Sequence, residues 1–324
     1  QSSWNVDRFV LRHLIDALNL LDKAGLHQDS ISSWKQRLRL PLDFQYENYW
    51  YGPGQEQLPG LNSSAGYYPN SDAIYVLLMG AAGELYSETK YSERAHQFVQ
   101  RLNDQLFPDG AFPYVFTTCD IPVYHTIVIS SLARYWQITG DTLARDVIVN
   151  SKGYYPVTFG SQFRAEETPY PWWKRQMGTA IGPSTMDIVA TLANCGENKY
   201  IAQRFEHKAN ASYVAVDFWT DTIAPVTPKD TTVLYDHNVN GVRGRFGQFS
   251  WLGMLGHQYA NDAFIGAMLT NESSRGSSLN AEFKFVTPEV ILEENDELLY
   301  KRAAFTTNGT ASGSVVKGNN VGAV

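Results

Sequence analysis

The residues best suited to acid–base chemistry lie in segments rich in Gly, Pro and aromatic residues. His125 follows Asp120, Pro122 and Tyr124 and opens an apolar stretch, so it stands at the entry of a helix. The positive end of that helix favours the neutral imidazole that a base needs. In QFRAEETPYPWWKRQ, Tyr170 stands between two prolines as a candidate acid. Arg164, Lys174 and Arg175 offer cations, and Trp172 and Trp173 offer flat faces for sugar rings. A second candidate base, His237, lies in YDHNVNGVRGRF with Arg243 and Arg245, groups fit to hold a carboxylate. Trp50, Tyr67 and Asn70 belong to an aromatic segment before another helix and form a candidate binding wall.

Other chemistries lack their residues. G-x-G-x-x-G, H-E-x-x-H and G-x-S-x-G are absent, and the two cysteines, Cys119 and Cys195, make no zinc pair. We expect no metal and no cofactor. The cysteines are expected on different ends of the fold, as free thiols. A net charge of −7 argues against a nucleic-acid partner, and no apolar run is long enough to span a membrane. Aromatic residues make up 13% of the 324 residues, with 19 Tyr and 8 Trp, a supply suited to sugar surfaces. Sequons stand at Asn62, Asn210, Asn271 and Asn308.

The elements that must position these groups read as helices. Apolar periodicity predicts helices over 5–24, 30–40 (stopped by Pro41), 72–86, 91–106, 124–138, 142–152, 184–194 and 199–216, with a further one near 252–269. LYSETKYSERAHQFV, YWQITGDTLARDVIV and LANCGENKYIAQRFE each read as helix end, tight turn and new helix. Such a repeat predicts stacked antiparallel hairpins. Short turns then gather at one end and the long segments 41–71, 107–123, 154–183 and 218–250 at the other, where they surround one cleft.

The hairpin repeats, the aromatic loops and Tyr124-His125 at a helix start resemble the α/α-toroid polysaccharide lyases that cleave uronic-acid polymers, the alginate, glucuronan and heparinase-like enzymes. The resemblance implies a mainly α fold: one toroid domain over 1–305 with a Gly/Ser/Asn-rich tail over 306–324. It implies β-elimination on an anionic polysaccharide, and a secreted or periplasmic place. Catalysis then falls to His125, Tyr170, Tyr124 or His237, with Arg and Asn neutralising the carboxylate beside the proton removed. Two alternatives stay open. A toroid glycoside hydrolase would draw two carboxylates from Asp72, Asp120, Glu166, Glu167 and Asp187. A non-catalytic glycan-binding protein would use the aromatics alone.

Overall fold

The computed structural model describes residues 4–49, 68–114, 118–120, 122–158, 183–205, 222–229 and the strands and one turn residue between 231 and 302. The chain divides into two compact units, one of residues 1–154 and 180–227, the other of 155–179 and 228–324, where the sequence reading has one domain over 1–305. The described part is mainly helical.

In the first unit the helices come in pairs: α1 (Trp4–Lys23) with α2 (Gln28–Asn48), α3 (Pro69–Tyr86) with α4 (Thr89–Gln105), α5 (Pro122–Thr139) with α6 (Thr142–Asn150), and α8 (Pro183–Ala193) with α9 (Gly196–Phe205). The first unit's chain then leaves through a 3₁₀ turn at Ser151–Gly153 into a short α7 (Tyr154–Thr158), of which all but Tyr154 belongs to the second unit. The expected repeat has a backbone signature. Ser87, Gly140 and Asn194, which share one position in the three repeat copies, all adopt left-handed φ, at 53°, 72° and 49°. One left-handed residue after the last helical turn lets the chain reverse at once into the next helix.

The first helices of the pairs form an inner row in which α3 packs against α1 on one side and α5 on the other, and α5 against α8. Their direction follows from side-chain contacts. Arg8 lies over the Tyr49 ring beside Asp72, near the start of α3, while Lys23 pairs with Glu84 near its end, so α1 and α3 are parallel. Arg12 donates to Ser131 and Asp16 takes a two-pronged salt bridge from Arg134, so α1 and α5 are parallel too. The chain therefore enters α1, α3 and α5 at one end and turns back at the other.

Packing explains why α3 is apolar all round. Nearly every residue from Pro69 to Leu85 is buried, because α1, α4 and α5 enclose the helix. Glycines permit the approach. A Cβ on Gly80 would sit 2.3 Å from the Tyr135 ring of α5, and one on Gly83 would sit 2.2 Å from the Ser92 hydroxyl of α4.

Three expectations change. Pro41 does not end the second helix, which runs through it to Asn48. The lost hydrogen bond costs about 3 kcal/mol in a helix interior. Burial of Leu42, Gln45 and Tyr49 beyond it, and the Arg39–Asp43 ion pair spanning it, hold the helix together. In α1, the stripe that keeps the helical period, Phe9, Val10, His13, Leu14, Ala17, Leu18 and Leu21, faces inward only in part: Leu18 is buried and Phe9 and Leu21 are half-buried, while Val10, His13, Leu14 and Ala17 are exposed. The buried face is Leu11, Ile15 and Leu18 with Arg8, Arg12 and Asn19. Finally, no helix forms near 252–269 among the described residues.

The second unit holds β-structure there instead. β3 (Thr231–Asp236), β4 (Gly241–Phe246), β5 (Phe249–Met254) and β8 (Gly266–Asn271) form an antiparallel sheet in that order. Two short hairpins add β6 (Gln258–Tyr259) with β7 (Asp262–Ala263) and β9 (Val290–Glu294) with β10 (Glu297–Arg302). Gly253, Gly256 and Gly266 each disfavour a helix by about 1 kcal/mol, which tips the stretch to strands.

Candidate functional site

The sequence at the entry of each later inner helix begins with proline: Pro69, Pro122 and Pro183. Proline suits the first helical position, where no N–H is needed. Just beside each proline stands an acid that is buried in the structure: Asp72, Asp120 and Asp187. A buried carboxylate is costly unless donors meet it, and each of the three is met differently.

Asp72 accepts a 2.6 Å hydrogen bond from the Tyr49 hydroxyl and forms an ion pair with Arg101 of α4 at 3.5 Å. Tyr49 stacks on Tyr75 at 4.0 Å between ring centres, with the Arg8 guanidinium over it. Asn70, also buried, shares the first turn of α3. Asp187 is bound to Lys199 of α9 at 3.0 Å, with both side chains nearly out of water. In both cases the cation comes from the outer helix of the same hairpin.

Asp120 organises the strap between α4 and α5. That strap carries β1 (Pro113–Tyr114) and β2 (Thr118–Cys119), paired antiparallel. Asp120 closes it: its backbone N–H donates to the Phe112 carbonyl at 2.7 Å, and its Oδ1 accepts from the Phe112 N–H at 3.0 Å. Its Oδ2 lies 3.0 Å from His125 Nδ1. The His125 ring stacks on Tyr154 at 3.7 Å and 9°, and the Tyr154 hydroxyl donates to the Asp120 carbonyl. Burial raises the Asp120 carboxyl above the usual carboxylate range, against the pull of His125. Gly110, at φ 90°, brings the strap against the Ser151 carbonyl, where any Cβ would clash.

His125, expected to face a cleft as a base, has no solvent-exposed surface. Its position in the apolar start of α5, with Phe112 and Tyr154 against its ring, makes it the pin of the Asp120 cage. Its neighbour Tyr124 is half-buried on the first turn of α5. His237 is exposed in the second unit, edge-on to Tyr235 at 4.8 Å. Arg243 and Arg245 lie in β4 of that unit, in register with Leu234 and Thr232 of β3. Trp50, Tyr67, Arg164, Tyr170, Trp172, Trp173 and Arg175, with Glu166 and Glu167, lie outside the described residues. Cys195 is a free, half-buried thiol whose sulfur accepts from Asn198.

At the entry end of α3 and α5 the structure therefore places Asn70, Asp72, Tyr124 and His125. Of the residues that hold this end, Tyr49 belongs to the aromatic segment read from sequence as a binding wall, whereas Arg101 and Tyr154, and the Lys199 that holds Asp187, were not singled out from sequence. The recurring proline followed by a buried acid or His (Asp72 and His125 both stand three after it) was the available signal. No group of acidic, His and Cys side chains fit to hold a metal occurs among the described residues. No helix among them is long and apolar enough to cross a membrane. Compared with known protein families, curated proteins and solved structures, the chain matches none.

Proposed function

We propose that this chain is a polysaccharide lyase of the α/α-toroid kind, acting by β-elimination on a uronic-acid polymer. The observation that supports this most is the sorting of connections in the first three hairpins. Short turns close them at one end, while the long aromatic segments join them at the end where α3 and α5 begin. A rigid scaffold that gathers long loops at one end is the usual setting of a site.

In this reading substrate lies over the first turns of α3 and α5. The sugar carboxylate must be neutralised before the adjacent proton becomes acidic enough to leave. The helix entries carry partial positive charge that favours an anion, and Asn70 on the first turn of α3 is the side chain of this end assigned to it; Arg164 and Arg175 stand as candidates from sequence alone. Tyr124 is the group of this end assigned to proton removal, and Tyr170, from sequence alone, is the candidate acid for the leaving oxygen. His125 is a positioning residue: through Asp120 and Tyr154 it fixes the first turn of α5, and with it Tyr124.

The hydrolase alternative is weakened by the carboxylates it would use. Asp72 and Asp187 are buried in ion pairs, and Asp120 has no surface exposed to water, so three of its five candidates are withheld from a glycosidic bond.

The test is Tyr124→Phe beside His125→Ala, followed by the ultraviolet absorbance of unsaturated uronate and by melting temperature. Tyr124→Phe should lower turnover by about 10² to 10⁴ with melting unchanged. His125→Ala should lower both. Normal turnover in Tyr124→Phe removes the assignment.

A further inference from the structure

The four-stranded sheet of the second unit sorts its residues by face. Residues paired across strands share a face, and so do residues two apart along one strand. Val242 and Phe246 of β4, Phe249 and Trp251 of β5 and Leu269 of β8 fall on one face. Val233 and Tyr235 of β3, the strand at one end of the sheet, form the exposed margin of that face. Arg243 and Arg245 of β4 fall on the other face. An antiparallel sheet commonly buries one face and leaves the other to water. The aromatic face suits burial, whereas two guanidinium groups belong with water or with anions.

The register sets Arg245 in a row of four, one residue from each strand: Thr232, Arg245, Ser250 and Thr270. All four residue types donate hydrogen bonds. The next row on this face holds Arg243 between Leu234 and Leu252, with Met268 beyond. The two arginines stand about 7 Å apart along β4. Asp236, the one acid of this face among the four strands, stands about 13 Å along β3 from Thr232. We propose that this row is a second binding site for an acidic polysaccharide, separate from the helix entries of the first unit. Arg245 takes a sugar carboxylate there, and Thr232, Ser250 and Thr270 take the oxygens around it.

The choice of a uronic-acid polymer as ligand rests on the lyase reading above. Three features favour it. Arg grips a carboxylate in a two-pronged way, which a neutral sugar cannot use. A polymer with a carboxylate on each sugar can serve Arg243 and Arg245 with one chain. And a protein of net charge −7 repels a polyanion unless part of its surface is locally basic, which this row supplies.

Affinity electrophoresis of the full chain reads the site without relying on turnover. Native gels are cast with alginate or with a neutral glucan, and each variant is compared with itself in the two gels, so its own charge cancels. The parent is expected to be retarded by alginate alone. Arg245→Gln should weaken that retention about tenfold, for one charge-assisted pair lost. Thr232→Val with Ser250→Val should weaken it too; valine keeps the strands, so this pair decides the matter if Arg245→Gln does not fold. Lys301→Gln, which removes a cation from the β9–β10 hairpin, should leave retention unchanged. A parent that alginate does not retard overturns the proposal. So does retention indifferent to both row variants, or lowered equally by Lys301→Gln, the mark of net charge alone. The lyase reading fails separately: retention without unsaturated product leaves the row standing, and unsaturated product with retention indifferent to the row removes the row alone.

Discussion

Asp120→Ala gives the sharpest test of the cage that holds the start of α5. The substitution removes two bonds at once, one from the Phe112 N–H at 3.0 Å and one to His125 Nδ1 at 3.0 Å. Both partners are then buried with nothing to replace the carboxylate. Each unmet buried group costs about 1–3 kcal/mol, so the sum is about 4 kcal/mol. For the roughly 200 residues of the helical unit, that corresponds to a fall in melting temperature of about 8–16 °C. Asp120→Asn behaves differently. Its amide oxygen still accepts from Phe112, and its NH₂ donates to His125 once the imidazole changes tautomer. It also relieves the burial of a charge, the cause that raises this carboxyl. The expected loss is within about 1.5 kcal/mol.

The pH dependence has a definite sign. A carboxyl whose folded value lies above its unfolded one binds protons more tightly when folded. Its contribution to stability is therefore greatest at low pH and falls as pH rises from the unfolded value through the folded one. Asp120→Asn should flatten that fall. Differential scanning calorimetry of both variants across pH checks the magnitude and the sign. If Asp120→Ala melts within about 1 kcal/mol of the parent, the cage does not hold the strap and this reasoning fails.

Other consequences can be measured alongside. Gly80→Ala should destabilise by about 2 kcal/mol, because the Tyr135 ring it meets is anchored through its hydroxyl to Asp141 and cannot swing away. Gly83→Ala should be nearly neutral by the same chemical denaturation, since the exposed Ser92 hydroxyl can rotate and alanine gains about 1 kcal/mol of helix propensity. For Asp43, burial acts upward, but bonds from Tyr91, Lys90 and Arg39 prevail and hold it at about 2. Its contribution, on the order of 1 kcal/mol after solvent screening, is present above the unfolded value and lost as pH falls towards 2, a loss Asp43→Asn should abolish. Asp141→Ala removes the cap on the Leu143 N–H and the acceptor of Tyr135 and His96, and should lower stability by about 1–2 kcal/mol in urea unfolding.

How far the sequence was legible depended on whether neighbours in the chain or neighbours in space decided each feature. The turns at Ser87, Gly140 and Asn194 were readable because local helix endings specify them. The helices were readable as apolar stretches of helical length between turn residues, but which of them form the inner row was not, since α3 is buried all round and carries no one-sided period. Pro41 misled because its penalty is local, while Leu42, Gln45 and Tyr49, buried beyond it, outweigh that penalty through tertiary packing. The strands within 252–271 were read as a helix because their apolar residues also fit a helical period, and only the glycines argued otherwise; the strands before them fell in a segment read as a loop. In α1 two stripes compete. The richer one, with Val10 and Leu14, faces water, and the one with Arg8, Arg12 and Asn19 is buried because distant partners such as Ser131 receive it. The site divides the same way. Asn70, Asp72, Tyr124 and His125 were picked out by their position at helix starts, and the structure keeps them at one end. Sequence spacing says nothing of Arg101 or Tyr154, 29 and 29 residues beyond Asp72 and His125, so His125 was read as an open base rather than a buried pin.

The central claim, β-elimination on a uronic-acid polymer, is tested most directly by the mass of the product. The chain is incubated with alginate, with glucuronan and with neutral glucans, and the oligosaccharides released are weighed by mass spectrometry. Elimination breaks the bond without adding water, so each new non-reducing end is one water lighter than a hydrolytic one. The account predicts the lighter oligosaccharides from a uronate polymer and none from the neutral glucans. Products of hydrolytic mass from any of these polymers, or intact polymer throughout, would contradict it.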